Sequence, residues 1–204
     1  MKGKFAINLI ESFMSNFTDT YEVTSNVTET GIQFFFMSEG KNDIIKFISY
    51  SYLMDFKGSP LYNLALLDVN PFTDVMYDDR ATNNGDTYRV FHTVLATIPH
   101  FFSTYGDALL MVQGSDSTRE FKDKCRLSCK KRCLSPACRN AHRRINIYRS
   151  YVDRNFDNLN KEYMFFGDLG INENQTLTED YVKGEKYIKV LLKKRKFEYE
   201  HQRK

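Results

Sequence analysis

From residue 32 onward the chain alternates short apolar runs with clusters of turn-forming residues. Residues 32–36 are mostly apolar and aromatic, the run stops at Ser38-Glu39-Gly40-Lys41-Asn42-Asp43, and a mostly apolar run resumes over residues 44–52. Two β-prone runs around such a cluster predict an antiparallel hairpin. The alternation of the second arm is only partly clean, which predicts a strand covered on both faces. Residues 62–69 form a third run between Ser59-Pro60 and Asn70-Pro71, so a three-stranded meander is expected. After Thr82-Asn83-Asn84-Gly85-Asp86 the period changes. Val90, Phe91, Val94, Leu95, Ile98, Phe101 and Phe102 recur at helical spacing, with Asp86 as N-cap, Gly106 as stop and Pro99 in the last turns.

Residues 108–113 read as a buried strand, and Gly114-Ser115-Asp116-Ser117 hands over to a second helical stretch. Residues 119–154 are highly charged with Pro136 as the evident break, which predicts two helical pieces bending near 134–137. Residues 163–166 and 187–192 read as further strands. The sum is an α+β fold: a mostly antiparallel sheet of about five to six strands against two to four helices. It forms one domain over 1–204, with a Cys-rich helical insertion at about 122–144 and a basic tail at about 193–204.

Composition supports a folded core. The 204 residues include 17 Phe and 13 Tyr but only four Pro and ten Gly, unlike a disordered chain. No run approaches the roughly 18 apolar residues of a spanning helix, and Glu11 interrupts the first apolar segment before an export signal develops. A soluble, cytoplasmic protein is the expectation.

Charge is more informative. The net charge is only +3, yet residues 122–144 hold nine Lys or Arg against Asp123 alone, and residues 183–204 hold nine against three Glu. The remainder is therefore acidic. Two basic segments on an acidic body suit a polyanion or an acidic protein partner, although charged segments are also ordinary solvated surface. The candidate nucleic-acid contacts are Lys130, Lys131, Arg132, Arg143, Arg144, Lys193, Lys194 and Arg195.

All four cysteines, Cys125, Cys129, Cys133 and Cys138, fall within one short segment, with His142 beyond. On a helix Cys125, Cys129 and Cys133 would share a face, and a bend at Pro136 could return Cys138 or His142 to complete a tetrahedral structural zinc site. The spacing lacks the paired Cys-x2-Cys of common zinc modules. Reduced thiols on a helix face, or disulfides in an oxidising compartment, are the alternatives.

Gly114-Ser115-Asp116-Ser117-Thr118-Arg119 lies where strand passes to helix. A helix N-terminus there would offer amide donors to a phosphate, with Arg119 one turn inside as a forked partner. The alternative is a plain N-cap by Ser115 or Asp116, with Arg119 paired to a surface acid. Asn84 and Asp86 are first a loop and cap signal, and join a ligand site only if they face Ser115 and Arg119. His92, His100, His142, His201 and Glu39 are the acid-base candidates, but no zincin, nucleophile-elbow or Walker motif surrounds them.

Ser38-Glu39-Gly40 with Lys46, Tyr62-Asn63-Leu64-Ala65, Asn83-Asn84-Gly85-Asp86, and Gly114-Ser115 with Arg119 together resemble, in order and separation, an uncharacterised bacterial domain family of unknown function over about residues 20–195. The resemblance implies a small intracellular protein with a mixed sheet and packed helices, and a shared site for Asn84, Asp86, Ser115 and Arg119. It brings no activity. The chain departs from the family after Arg119, where the cysteine segment reads as an elaboration of this member. The leading expectation is a nucleic-acid or phosphate-binding accessory protein. A protein-interaction module of a two-component, toxin-antitoxin-like pair, or an enzyme on a small phosphorylated substrate, are the alternatives.

Overall fold

The computed structural model describes residues 19–70, 73, 75–77, 84–129, 131, 133, 138–170 and 177–196. The chain divides into two units, Met1–Gly106 and Asp107–Lys204. The fold is α+β, with nine strands and three α-helices among the described residues, more strands than the five to six expected. The six apolar runs read as strands are all present. The additional three carry little apolar signal: β1 (Thr24–Thr28) is a polar, largely exposed edge, while β5 (Met76–Tyr77) and β8 (Glu179–Asp180) are two-residue pairings.

In the first unit β1, β2 (Gly31–Ser38), β3 (Ile44–Phe56) and β4 (Ser59–Val69) pair as an antiparallel meander, and β5 pairs with β4. Along β2 the alternation is direct: Ile32, Phe34, Phe36 and Ser38 are buried while Gln33, Phe35 and Met37 are less so. That is the period of a pleated strand with one face on a core. Over Lys46–Tyr50 every residue is buried, the two-sided coverage that the broken alternation predicted.

Helix α1 (Thr87–Thr104) supplies Val90, Phe91, Val94, Leu95, Ile98, Phe101 and Phe102 to the core. Pro99 is inside it and buried. Tyr50 locks helix to sheet: its ring stacks on Phe101 at 4.6 Å, and its hydroxyl shares a 2.7 Å hydrogen bond with buried Thr97. The hydroxyl is satisfied, so the aromatic area is buried without an unpaired polar group.

Lys46 and Asp68 are direct cross-strand partners and form a buried ion pair at 2.5 Å. Its attraction offsets the cost of removing both charges from water only while both are present.

In the second unit β6 (Leu109–Gln113), β9 (Lys189–Lys194), β7 (Tyr163–Asp168) and β8 lie side by side, all antiparallel. Leu110, Leu191 and Tyr163 are fully buried in it. Helix α3 (Arg143–Glu162) buries Ile145, Val152 and Leu159, a seven-residue stripe that keeps one face on the core. The charged region expected to hold two helices does so, as α2 (Arg119–Ser128) and α3, but residues 129–142 between them carry no assigned helix where described. The predicted bend at 134–137 lies outside the described residues. No described helix is long and apolar enough to cross a membrane.

Lys46→Met should destabilise the protein by about 3–5 kcal/mol, because it strands the Asp68 carboxylate. In urea denaturation the double variant Lys46→Met/Asp68→Leu should recover most of that loss. A single variant within about 0.5 kcal/mol of wild type would show the pair to be solvated.

Candidate functional site

The sequence-derived phosphate-site residues fall in both units. Asn84 and Asp86 belong to the first unit, Ser115 and Arg119 to the second.

Around Asn84 the polar atoms are consumed by their own unit. Asn84 Nδ2 donates to the Asn42 carbonyl at 2.8 Å and to Ser38 Oγ at 3.1 Å. Asp86 Oδ2 accepts from Ser38 Oγ at 2.6 Å and from the Tyr21 hydroxyl at 2.9 Å. Burial, then Asp86, raises the Tyr21 phenol above its ordinary value. Asp86 does occupy the N-cap position of α1 but makes no side-chain cap hydrogen bond, so the expected capping role is corrected. Its carboxylate ties the β2 end to Tyr21 instead. A Cβ at Gly40 would stand 2.6 Å from Asn84 Cγ, so the loop needs glycine for this approach. The group reads as a knot between loop and helix start.

At the end of β6, Ser115–Ser117 forms a 3-10 turn and Thr118, not Ser115 or Asp116, caps α2 by accepting from the Phe121 amide at 3.1 Å. Asp116 serves the other helix. Its Oδ2 accepts from the Arg144 amide at 3.0 Å, and its carbonyl accepts from the His142 amide at 3.2 Å. The carboxylate therefore fills the place at the α3 N-terminus where a docked anion would sit. A Cβ at Gly114 would already stand 2.6 Å from Asp116 Oδ1. Both Asp116 Oδ1 and Ser117 Oγ are buried without a hydrogen-bond partner among the described residues.

Arg119 does not reach this junction as the expected fork. It lies exposed on α2, 3.9 Å from Asp123. Arg144 takes the role, donating from Nη1 to Ser115 Oγ at 2.8 Å. Only the return of the chain after residue 142 brings it there, and nothing in the local spacing of Gly114 and Arg119 signals it.

The basic residues divide between the ends of α3. At its start Lys131, Arg139 and Arg143 are exposed. Lys131 donates to Asn140 Oδ1 at 2.7 Å. Lys130 and Arg132 lie outside the described residues. At its finish Arg195 donates to the Asn160 carbonyl at 2.6 Å and to Asn160 Oδ1 at 2.8 Å, while its amide reaches the Glu162 carbonyl. Lys193 and Lys194 are half-buried on β9. Residues 144 and 160 are separated by roughly 24 Å of helix. Arg195, with Lys193 and Lys194 beside it on β9, therefore sits apart from Arg143 and Arg144, whereas Lys189 pairs with Gln113 next to the Gly114 junction.

The cysteines approach one another without sharing a helix face, which corrects that expectation. Cys125 is in α2, Cys129 is its C-cap, and Cys133 and Cys138 follow outside any assigned helix. Cys129 Sγ and Cys133 Sγ are 3.9 Å apart, and Cys125 neighbours both Cys129 and Cys138. Asn140 Nδ2 donates to Cys125 Sγ at 3.3 Å and to Cys129 Sγ at 3.7 Å, and the Arg139 amide donates to Cys133 Sγ at 3.3 Å. All four are free thiols. The Lys131 amide lowers the Cys129 pKa. At Cys125 the Asn140 amide pulls downward, but burial and the adjoining thiols leave the pKa raised. Burial, then Lys122, lowers the His142 pKa. As they stand, no three or more His, Cys, Asp or Glu side chains among the described residues are arranged to hold a metal ion.

A family of unknown function (DUF6934) matches residues 18–122. The match stops short of Cys125, so the whole cysteine segment lies beyond it. No curated protein and no solved structure matches the chain.

Asp116→Ala should cost about 1–2 kcal/mol by removing the cap of α3. Ser117→Ala should stay near neutral, since no hydrogen bond is lost. Chemical denaturation of the two variants checks this, and equal losses would mean that Ser117 has a partner such as a bound water.

Proposed function

The chain belongs to this family of unknown function, so its activity must be argued from its own residues, and we propose that it is a nucleic-acid-binding accessory protein whose contact surface is the basic strip at the start of α3. The observation that carries this reading is the contrast between the two ends of that helix. At the C-terminal end cations meet the negative pole of the helix dipole, and Arg195 hydrogen-bonds one of the last carbonyls, so stability accounts for them. At the N-terminal end Arg143 and Arg144 open the helix against the dipole, with no acidic residue in the first turn.

Such placement costs about 0.3–1 kcal/mol per exposed cation. Arg144 offsets that through Ser115 and the Asp116 cap. Arg143 bears that cost in solvent, which points to a use outside folding, and exposed Arg139 and Lys131 extend the strip. A phosphate backbone supplies anionic partners for these exposed cations. A single small phosphate fits less well, because Asp116 already fills the position over Gly114.

Binding should therefore be sequence-tolerant and steeply salt-dependent. If Lys131, Arg139 and Arg143 each neutralise one phosphate, log K against log salt has a slope of about −3 on DNA. Replacing all three by Gln should flatten the slope by about three units, whereas Lys193→Gln/Lys194→Gln should change it little. Fluorescence anisotropy with short RNA and DNA at graded salt measures both. Failure to bind either polymer at low salt, or capture of a stoichiometric acidic protein by the same strip, would overturn the reading.

A further inference from the structure

The segment that carries the basic strip has almost no core of its own. Helix α2 buries none of its described side chains, and Leu127 is 91% exposed. A stretch without apolar burial needs another source of order, and small elements of this kind use disulfides or metals.

Its thiols lie near one another, which suits the second solution. The 3.9 Å between Cys129 Sγ and Cys133 Sγ matches the edge of about 3.8 Å that thiolates make around zinc with bonds of about 2.3 Å. It is far from the disulfide bond of about 2.05 Å. Contacts run in an open line from Cys138 through Cys125 and Cys129 to Cys133. N–H donors already flank the line: the Asn140 side chain faces Cys125 and Cys129, and the Arg139 amide faces Cys133. Donors of that kind orient thiolate ligands and spread their charge.

We propose that Cys125, Cys129, Cys133 and Cys138 bind one structural zinc ion, which draws this open line shut and fixes the segment from α2 to the start of α3. Four soft thiolates select zinc over the hard cations. Each thiol releases its proton to the buffer as it becomes a ligand, and no electron is transferred. The site does not depend on nucleic-acid binding, and its test reads metal and thiols only.

The full chain, loaded with zinc under reducing conditions and passed through a desalting column, should retain about one zinc per chain. All four thiols should then resist alkylation and become reactive on adding a chelator. Replacing Cys133 and Cys138 together by Ser should abolish retention. Far-ultraviolet circular dichroism should show the strands and helices still folded in that variant and in the chelated wild type, so a loss of zinc is not a loss of fold. Retention below about a tenth of a zinc per chain would overturn the site. So would iron with sulfide in place of zinc, or thiols that alkylate freely with zinc present.

Discussion

The second unit depends on one carboxylate. Asp116 stands at the end of β6, yet its hydrogen bonds go to the helix that begins beyond residue 142. A helix start left without acceptors and a buried carboxylate left without donors are each costly, and the bond from the Arg144 amide to Asp116 Oδ2 relieves both in part. Arg144 adds a second stitch through Ser115, so the chain leaves the sheet at Thr118 and returns to the same place at His142. Everything between is an excursion from that point.

The excursion explains why charge and sulfur are found together. Its described residues bury almost no apolar surface, and Leu127 is left in solvent. Cations and thiols are the groups that can act without a core, through phosphate contacts and metal coordination respectively. Conversely, Arg195, just past β9, lies against the last turn of α3 and is absorbed by the carbonyl and side-chain amide of Asn160. The same residue type thus serves folding at one helix end and is released from it at the other.

Much of this was legible in the sequence where the signal was periodic. Alternation along β2 and the helical recurrence from Val90 to Phe102 reappear directly as burial, because period and buried face are the same geometric fact. The polar edge β1 was invisible, since an exposed strand needs no apolar residues. The cap assignments failed for another reason. Asp86 and Asp116 both stand before helices, but their carboxylates are claimed by residues far along the chain, Tyr21 and Arg144. Local spacing cannot rank a nearby amide against a distant partner. Arg119 misled in the same way, being nearer to Ser115 in sequence than Arg144 but not in space. The cysteines were correctly read as one cluster, but not as one helix face, because α2 ends at Ser128 and the later thiols approach along non-helical chain.

Pinning both ends of the excursion at Asp116 has a consequence for how such a chain can change. Once the exit and return points are fixed, each doubling of the enclosed length adds only about 0.6 kcal/mol of closure entropy. Insertions at this position are therefore cheap for the rest of the fold, and a descendant could exchange the whole sulfur-bearing stretch for a different sequence while the scaffold beneath it stayed the same. The junction behaves as a socket, open to new chemistry.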